Sequence, residues 1–168
     1  MKKIFSPWRS KYIESFSEEE DKSDKTFIQL AIESKNDKES LVVERRELCF
    51  VLMNKYPYNN GHLLIAPYRQ VSDIDELEED EYNNINKALM DSIKVIKSVY
   101  SPHGYNVGVN IGDAGGAGLP QHLHYHIVPR WNGDTNFIST VADIKLVSVS
   151  MEESWQKLKD AFLKIKGK

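Results

Sequence analysis

Gln121-His122-Leu123-His124-Tyr125-His126-Ile127-Val128-Pro129-Arg130 is the stretch on which the fold turns. Three histidines alternate with apolar residues. Successive side chains of a β-strand point to opposite faces. His122, His124 and His126 therefore line one face, and Leu123, Tyr125 and Ile127 pack into a core on the other. Pro120 and Pro129 bracket the run, where proline is tolerated at a strand's ends. With five histidines in 168 residues, such a window arises by chance in roughly 0.4 % of chains. Three solvated histidines on an open sheet would also leave the glycines upstream unexplained.

Those glycines come next, working outward. Tyr105 to Ile111 alternates and reads as the strand beside the histidine strand. Between the two lies Gly112-Asp113-Ala114-Gly115-Gly116-Ala117-Gly118-Leu119. Without Cβ obstruction, backbone N–H groups in such a loop can point at one spot, and nests of this kind bind phosphate oxygens. Glycine-rich hairpin loops are common. What makes this one informative is its place directly before three histidines.

Further upstream, Leu41-Val43 and Leu48 to Met53 read as two strands joined by the turn Glu44-Arg45-Arg46-Glu47. Pro57-Tyr58-Asn59-Asn60-Gly61 is dense turn chemistry, and His62 to Pro67 is the next strand, with His62 at its entrance. Glu81 to Tyr100 is the best helix. Tyr82, Ile85, Leu89, Ile93, Ile96 and Val99 recur every three or four residues, acidic residues suit its N-terminal dipole, and Ser101-Pro102-His103-Gly104 stops it. His103 reads as plain surface. A last helix follows the capping box Ser150-Met151-Glu152-Glu153, with Met151, Trp155, Leu158, Phe162 and Ile165 on one face. Lys145 to Val149 reads as an edge strand and Trp131 to Phe137 as a polar loop. At the other end, residues 4–16 form a short amphipathic segment, Ser17 to Lys25 a charged linker, and Phe27 to Ile32 a brief apolar helix.

These elements make an α+β chain: an antiparallel sheet of about five strands, a long helix and a C-terminal helix. We expect one domain over residues 1–168, with an N-terminal extension of about residues 1–38. A net charge of −3 argues against binding a nucleic-acid polymer but leaves room for a nucleotide pocket. The single cysteine, Cys49, sits in the apolar run Leu48-Leu52. It allows no intramolecular disulfide, which suits a reducing cytosol. No run of about eighteen apolar residues is present, so neither a membrane span nor a membrane partner is expected.

The segment His122-Leu-His124-Tyr-His126-Ile-Val128 resembles the His-φ-His-φ-His-φ-φ motif of the histidine triad (HIT) proteins. Asn54 followed by His62 resembles that family's ribose-binding and second-histidine segment. Asn110 and Gly115–Leu119 sit where the family binds phosphate. Pro7-Trp8-Arg9 and Pro129-Arg130-Trp131-Asn132-Gly133-Asp134-Thr135-Asn136-Phe137 look most like the branch of bacterial and archaeal diadenosine tetraphosphate phosphorylases and hydrolases. Close relatives often carry Cys-x-x-Cys near the start, part of a structural zinc site. Here Lys25-Thr26-Phe27-Ile28 stands in that place, so no metal site and no tightly bound cofactor is expected. The galactose-1-phosphate uridylyltransferase branch typically lacks the third histidine; with His126 present, it is set aside.

The resemblance implies a HIT fold and nucleotidyl transfer or hydrolysis on dinucleoside polyphosphates. The middle histidine, His124, is the nucleophile on the α-phosphorus, forming a covalent nucleotidyl-histidine. Neutral imidazole suits that task near pH 7. His126 donates a hydrogen bond to a phosphate oxygen or the leaving group, while His122 and His62 orient and polarise the nucleophile. Asn110 and the amides of Gly116, Ala117, Gly118 and Leu119 hold the non-bridging oxygens. Asn54 binds the ribose, and the purine lies against apolar side chains of the first hairpin. A divalent cation arrives, if at all, with the polyphosphate. The expected partners are an adenosine-containing nucleotide and a second copy of the chain, in the cytoplasm. Water as second nucleophile makes a hydrolase, phosphate makes a phosphorylase, and a nucleoside phosphoramidase is a further option. Two rivals remain: a three-histidine zinc metalloenzyme, and a non-catalytic nucleotide-binding protein on the same fold.

Overall fold

The computed structural model describes residues 25–134 and 149–167. The readings on residues 4–16, 17–24 and 135–148, including most of the expected Lys145–Val149 strand, lie outside them. Helix α1 (Phe27–Glu33) comes first, then strands β1 (Val42–Arg45), β2 (Cys49–Met53) and β3 (Leu63–Pro67). Helix α2 (Glu79–Tyr100), strands β4 (Gly104–Val109) and β5 (Tyr125–Arg130), and helix α3 (Met151–Lys166) complete the order. The five strands form one antiparallel sheet in the order β1-β2-β3-β5-β4.

Every residue of β2 and β3 is buried. Their near-continuous apolar runs, rather than an apolar–polar alternation, mark strands covered on both faces. On one face Cys49, Val51, Leu63, Ile65 and Ile127 pack under α2 and α3, against Ile85, Val95, Ile96, Leu158 and Phe162. On the other, Val42, Phe50, Leu52, Leu64 and Ala66 lie beneath α1, whose Ile28 and Ala31 are wholly buried. The segment read as the end of an N-terminal extension is thus built into the fold. Thr26 starts it with a reciprocal capping box to Gln29.

Three sequence readings shift. The β1–β2 turn is shorter than expected, because Glu44 and Arg45 still pair with Val51 and Phe50 across an irregular register. The stripe of α2 is rotated: Tyr82 is 46 % exposed, while Ala88, Ser92 and Val95 are buried beside Ile85 and Ile96. Small residues occupy the closest approach to the sheet, which a hydrophobicity count undervalues. The third shift concerns the histidine strand. β5 begins at Tyr125, so of the three histidines only His126 lies within it.

α3 docks through the Trp155 indole, whose Nε1–H donates to the Val42 carbonyl at 3.0 Å. At its start the Ser150 hydroxyl accepts from the Glu153 amide at 3.2 Å, the half of the expected capping box that satisfies a helical donor.

Candidate active site

The site is assembled where β3 and β5 run side by side. Leu64 pairs with His126, and Gly108 of β4 pairs with His126 from the other side. The turn Pro57–Gly61 delivers His62 to this spot. Gly61 takes φ +72° there, and a Cβ on it would stand 2.8 Å from the Tyr100 ring. Glycine is therefore required twice over, by conformation and by space. Asn59 ties the turn to the end of β5, its amide donating to the Pro129 carbonyl and to the Asp134 carboxylate, each at 2.9 Å.

Hydrogen bonds fix where each imidazole carries its proton. The Tyr58 backbone N–H can only donate, and it meets His62 Nδ1 at 3.1 Å. So His62 Nδ1 is a lone pair, which the Asn54 amide also approaches at 3.3 Å. The His62 proton then sits on Nε2, which donates to His126 Nδ1 at 3.0 Å. That in turn leaves the His126 proton on Nε2, an atom that is buried and has no partner within the protein. A separate bond fixes the middle histidine: His124 Nδ1–H donates to the His122 carbonyl at 2.8 Å, which places the His124 lone pair on Nε2. The His124 and His126 ring centroids are 5.0 Å apart. The two rings, one with its lone pair on Nε2 and the other with its proton there, are thus neighbours, their planes 49° apart.

Burial keeps these rings neutral. His62 is pushed down to about 3 by desolvation first, then by the neighbouring His126 and His124 rings. Desolvation, and then His124, pushes His126 down to about 4. His122 and His124 are also lowered, burial again being the main cause.

The expected residues come together, and their contacts are specific. His122 donates through Nε2–H to the Pro67 carbonyl at 3.0 Å, pinning the strand's lead-in, while its backbone carbonyl orients His124. His62 acts on His126 rather than on His124. Asn54 stands against His62, and its carboxamide oxygen accepts from the Tyr56 amide at 2.9 Å. Asn110 lies at the end of β4 and reaches the Gly116 carbonyl at 3.4 Å. In the glycine loop, the Gly116 and Ala117 N–H groups are turned inward to the Asp113 and Gly112 carbonyls at 3.0 and 3.2 Å. A nest for an anion on that loop falls to the amides of Gly118 and Leu119. The apolar side chains of the first hairpin are covered by α1. The aromatic that does border His124 is Phe27, edge-on with centroids 6.4 Å apart.

Sequence reading missed Tyr58, Asn59, Asp134 and the structural part of His103, which accepts the Asn132 amide at 3.0 Å. Turn composition flagged 57–61 but could not say what the turn was for. The partners of Asn59 lie 70 and 75 residues away in the chain. Among the described residues, no three His, Cys, Asp or Glu side chains converge as metal ligands.

Paired imidazoles on a five-stranded antiparallel sheet, with a glycine loop before them, define the class. The chain belongs to the histidine triad family: the HIT domain matches residues 35–133. An AP-4-A phosphorylase of Mycobacterium tuberculosis is 46% identical over 112 residues, covering 67% of this chain and 57% of that protein. A bis(5'-nucleosyl)-tetraphosphatase [asymmetrical] of Schizosaccharomyces pombe is 32% identical over 95 residues, 56% of this chain and 52% of its own length. The chain thus spans little more than half the length of these relatives. Among solved structures, a hypothetical histidine triad nucleotide-binding protein of Sulfolobus tokodaii matches with TM-score 0.63 and 26% identity, over 75% of this chain and 85% of that one.

Proposed function

We propose that this protein transfers a nucleotidyl group from a dinucleoside polyphosphate of the diadenosine tetraphosphate kind, through a covalent nucleotidyl-histidine on His124. The single observation that carries the reading is the proton arrangement. His124 Nε2 holds a lone pair because Nδ1 is spent on the His122 carbonyl. Beside it, His126 keeps its proton on a buried Nε2, fixed there by the Tyr58–His62 chain. The His124 lone pair forms a bond to the α-phosphorus as the bond to the leaving oxygen breaks. That oxygen keeps the electron pair, and His126 Nε2–H stabilises the charge it gains. The second nucleophile then reverses the step and returns the lone pair to His124.

Gly118 and Leu119 amides and the Asn110 side chain hold the non-bridging oxygens. Phe27 is the aromatic face nearest the nucleotide, and Asn54 reaches the ribose only by sharing its amide with His62. Any divalent cation enters as part of the polyphosphate substrate. The relative named AP-4-A phosphorylase supports phosphate over water as the second nucleophile. The test is to incubate the protein with diadenosine tetraphosphate, with and without inorganic phosphate, and identify the products by chromatography. ADP and ATP formed only with phosphate is the expected result; AMP and ATP in both arms makes the protein a hydrolase; no turnover sinks the proposal.

The same reading places the protein in the cytoplasm as a homodimer. Among the described residues no helix is long and apolar enough to cross a membrane. Among the described residues the outer edge of β4 pairs with no further strand.

A further inference from the structure

A groove of about 390 Å³ runs away from His126 along β4 and β5. His126 closes one end and Arg130 the other, with Val128, Gly108 and Asn106 as floor and Tyr58 as one wall. Register explains why these side chains share a face: Gly108 pairs with His126 and Asn106 with Val128, and alternate residues point the same way. The four residue-to-residue rises from His126 to Arg130 make the groove roughly 13 Å long. Its floor is open, since a Cβ on Gly108 would meet no atom within 4 Å.

The lining is made of donors. His126 stands at the closed end, its Nε2–H buried and without a partner in the protein. Arg130 gives Nε–H and one Nη2–H to Asp134 at 2.6 and 2.9 Å, and one Nη1–H to the Asn106 carboxamide oxygen at 2.7 Å. Five guanidinium N–H groups less three leaves two, on a side chain that is 42% exposed. With its oxygen taken, Asn106 turns its NH₂ outward. Such a surface suits phosphate oxygens, which only accept.

Displacement at phosphorus is in line, so the group opposite the nucleophile leaves. When His124 is the nucleophile, the leaving group departs on the side away from its Nε2. The second nucleophile must then attack from that same side to expel His124. Leaving group and acceptor therefore use one place in turn, next to His126.

Resting on the function proposed above, we propose that the β4–β5 groove is this shared subsite. Asn106 and Arg130 hold the leaving polyphosphate in the first half of the reaction. They then hold inorganic phosphate in the second half, so the groove equips the protein for phosphorolysis.

The test is steady-state kinetics on the full chain, comparing wild type with Asn106→Asp. That change is isosteric and keeps the oxygen bonded to Arg130 but replaces the outward donor with an anion. Gly108→Leu, which fills the open floor, is the second variant. Two substrates are used: diadenosine tetraphosphate with inorganic phosphate, and adenosine 5′-phosphoramidate, whose ammonia is too small to reach Asn106. We expect each variant to raise the KM for inorganic phosphate about tenfold and lower kcat/KM for the tetraphosphate about tenfold. In Asn106→Asp, ammonia release from the phosphoramidate in the first turnover should stay within twofold. Tetraphosphate and phosphate constants both unchanged in Asn106→Asp would overturn the subsite. So would a parallel fall on the phosphoramidate, or an effect confined to one of the two phosphate ligands. If wild type never becomes nucleotidylated on His124 with either substrate, the underlying function is wrong as well.

Discussion

At the scale of single residues, the site depends on which nitrogen of each imidazole holds a proton. His124→Asn removes the attacking lone pair while keeping a polar side chain of similar reach. Loss of a covalent nucleophile should cost turnover at least about 10³-fold, with nucleotide affinity, read by calorimetry, within a few-fold of wild type. Wild-type turnover in this variant would show that another group attacks. The buried histidines also set an acid limit on stability. Their folded-state affinities for protons lie below those of the unfolded chain, with His62 near 3 and His126 near 4 against an ordinary 6.5. Above pH 6.5 both states are neutral at these positions and stability does not depend on them. As pH falls from 6.5 toward 4 the unfolded chain takes up protons that the folded chain refuses, so stability falls. Thermal melting across that window should show the decline, and His62→Asn, with one such group fewer, should show a shallower one. A wild-type melting temperature flat from pH 7 to 4.5 contradicts it. The identity of these residues was legible in the sequence, because three histidines at a spacing of two are rare. Their protonation was not, because it is dictated by the Tyr58 amide and the His122 and Pro67 carbonyls, and spacing in a sequence does not position backbone groups.

At the scale of elements, the question is what holds the histidine-bearing segments at the right height. Gly61 is the tightest point. Gly61→Ala would force a Cβ into the Tyr100 ring at a positive φ, a combination costing roughly 1–3 kcal/mol. Because His62 follows directly, the variant should lose activity as well as stability; denaturant melts and turnover measured together test this. An unchanged midpoint would mean that the turn relaxes freely. On the opposite face of the sheet, Leu158 is fully buried between α2, α3 and the strands. Leu158→Ala should cost about 2–5 kcal/mol with little change in KM, since the helices stand behind the sheet and the site in front of it. Strands β2 and β3 and helices α2 and α3 could be read from apolar runs and periodicity to within a few residues. The rotation of the α2 stripe could not. Periodicity weights Tyr82 by its size, whereas burial follows the closest approach to the sheet, where Ala88 and Ser92 fit. The glycine loop was found by composition, but its conformation decides which amides are free, and Gly116 and Ala117 spend theirs internally.

At the scale of the whole molecule, the two edges of the sheet differ among the described residues. β1 is flanked by contacts with α3, including the Trp155 bond to Val42. β4 pairs with no further strand among the described residues and carries Val107 44% exposed at its middle, and natural sheets seldom leave such an edge uncovered. The neighbouring helix repeats the pattern. Tyr105 of β4 reaches the Ile93 carbonyl of α2 at 3.5 Å, so the odd-numbered residues of β4 face the α2 layer. On that helix Tyr82 and Met90 are 46% and 54% exposed and two turns apart on one side. A two-fold pair would cover such exposed apolar side chains with their own counterparts. Pairing would also set a partner copy beside the strand that lines the proposed phosphate groove, which makes assembly and phosphorolysis measurable together. We expect light scattering to report a dimer at micromolar concentration. Val107→Arg, which buries a charge at the pairing edge without touching the histidines, should shift the population toward monomer by tenfold or more in dissociation constant. A monomeric wild type, or a Val107→Arg protein as dimeric as its parent, would remove this edge from the interface.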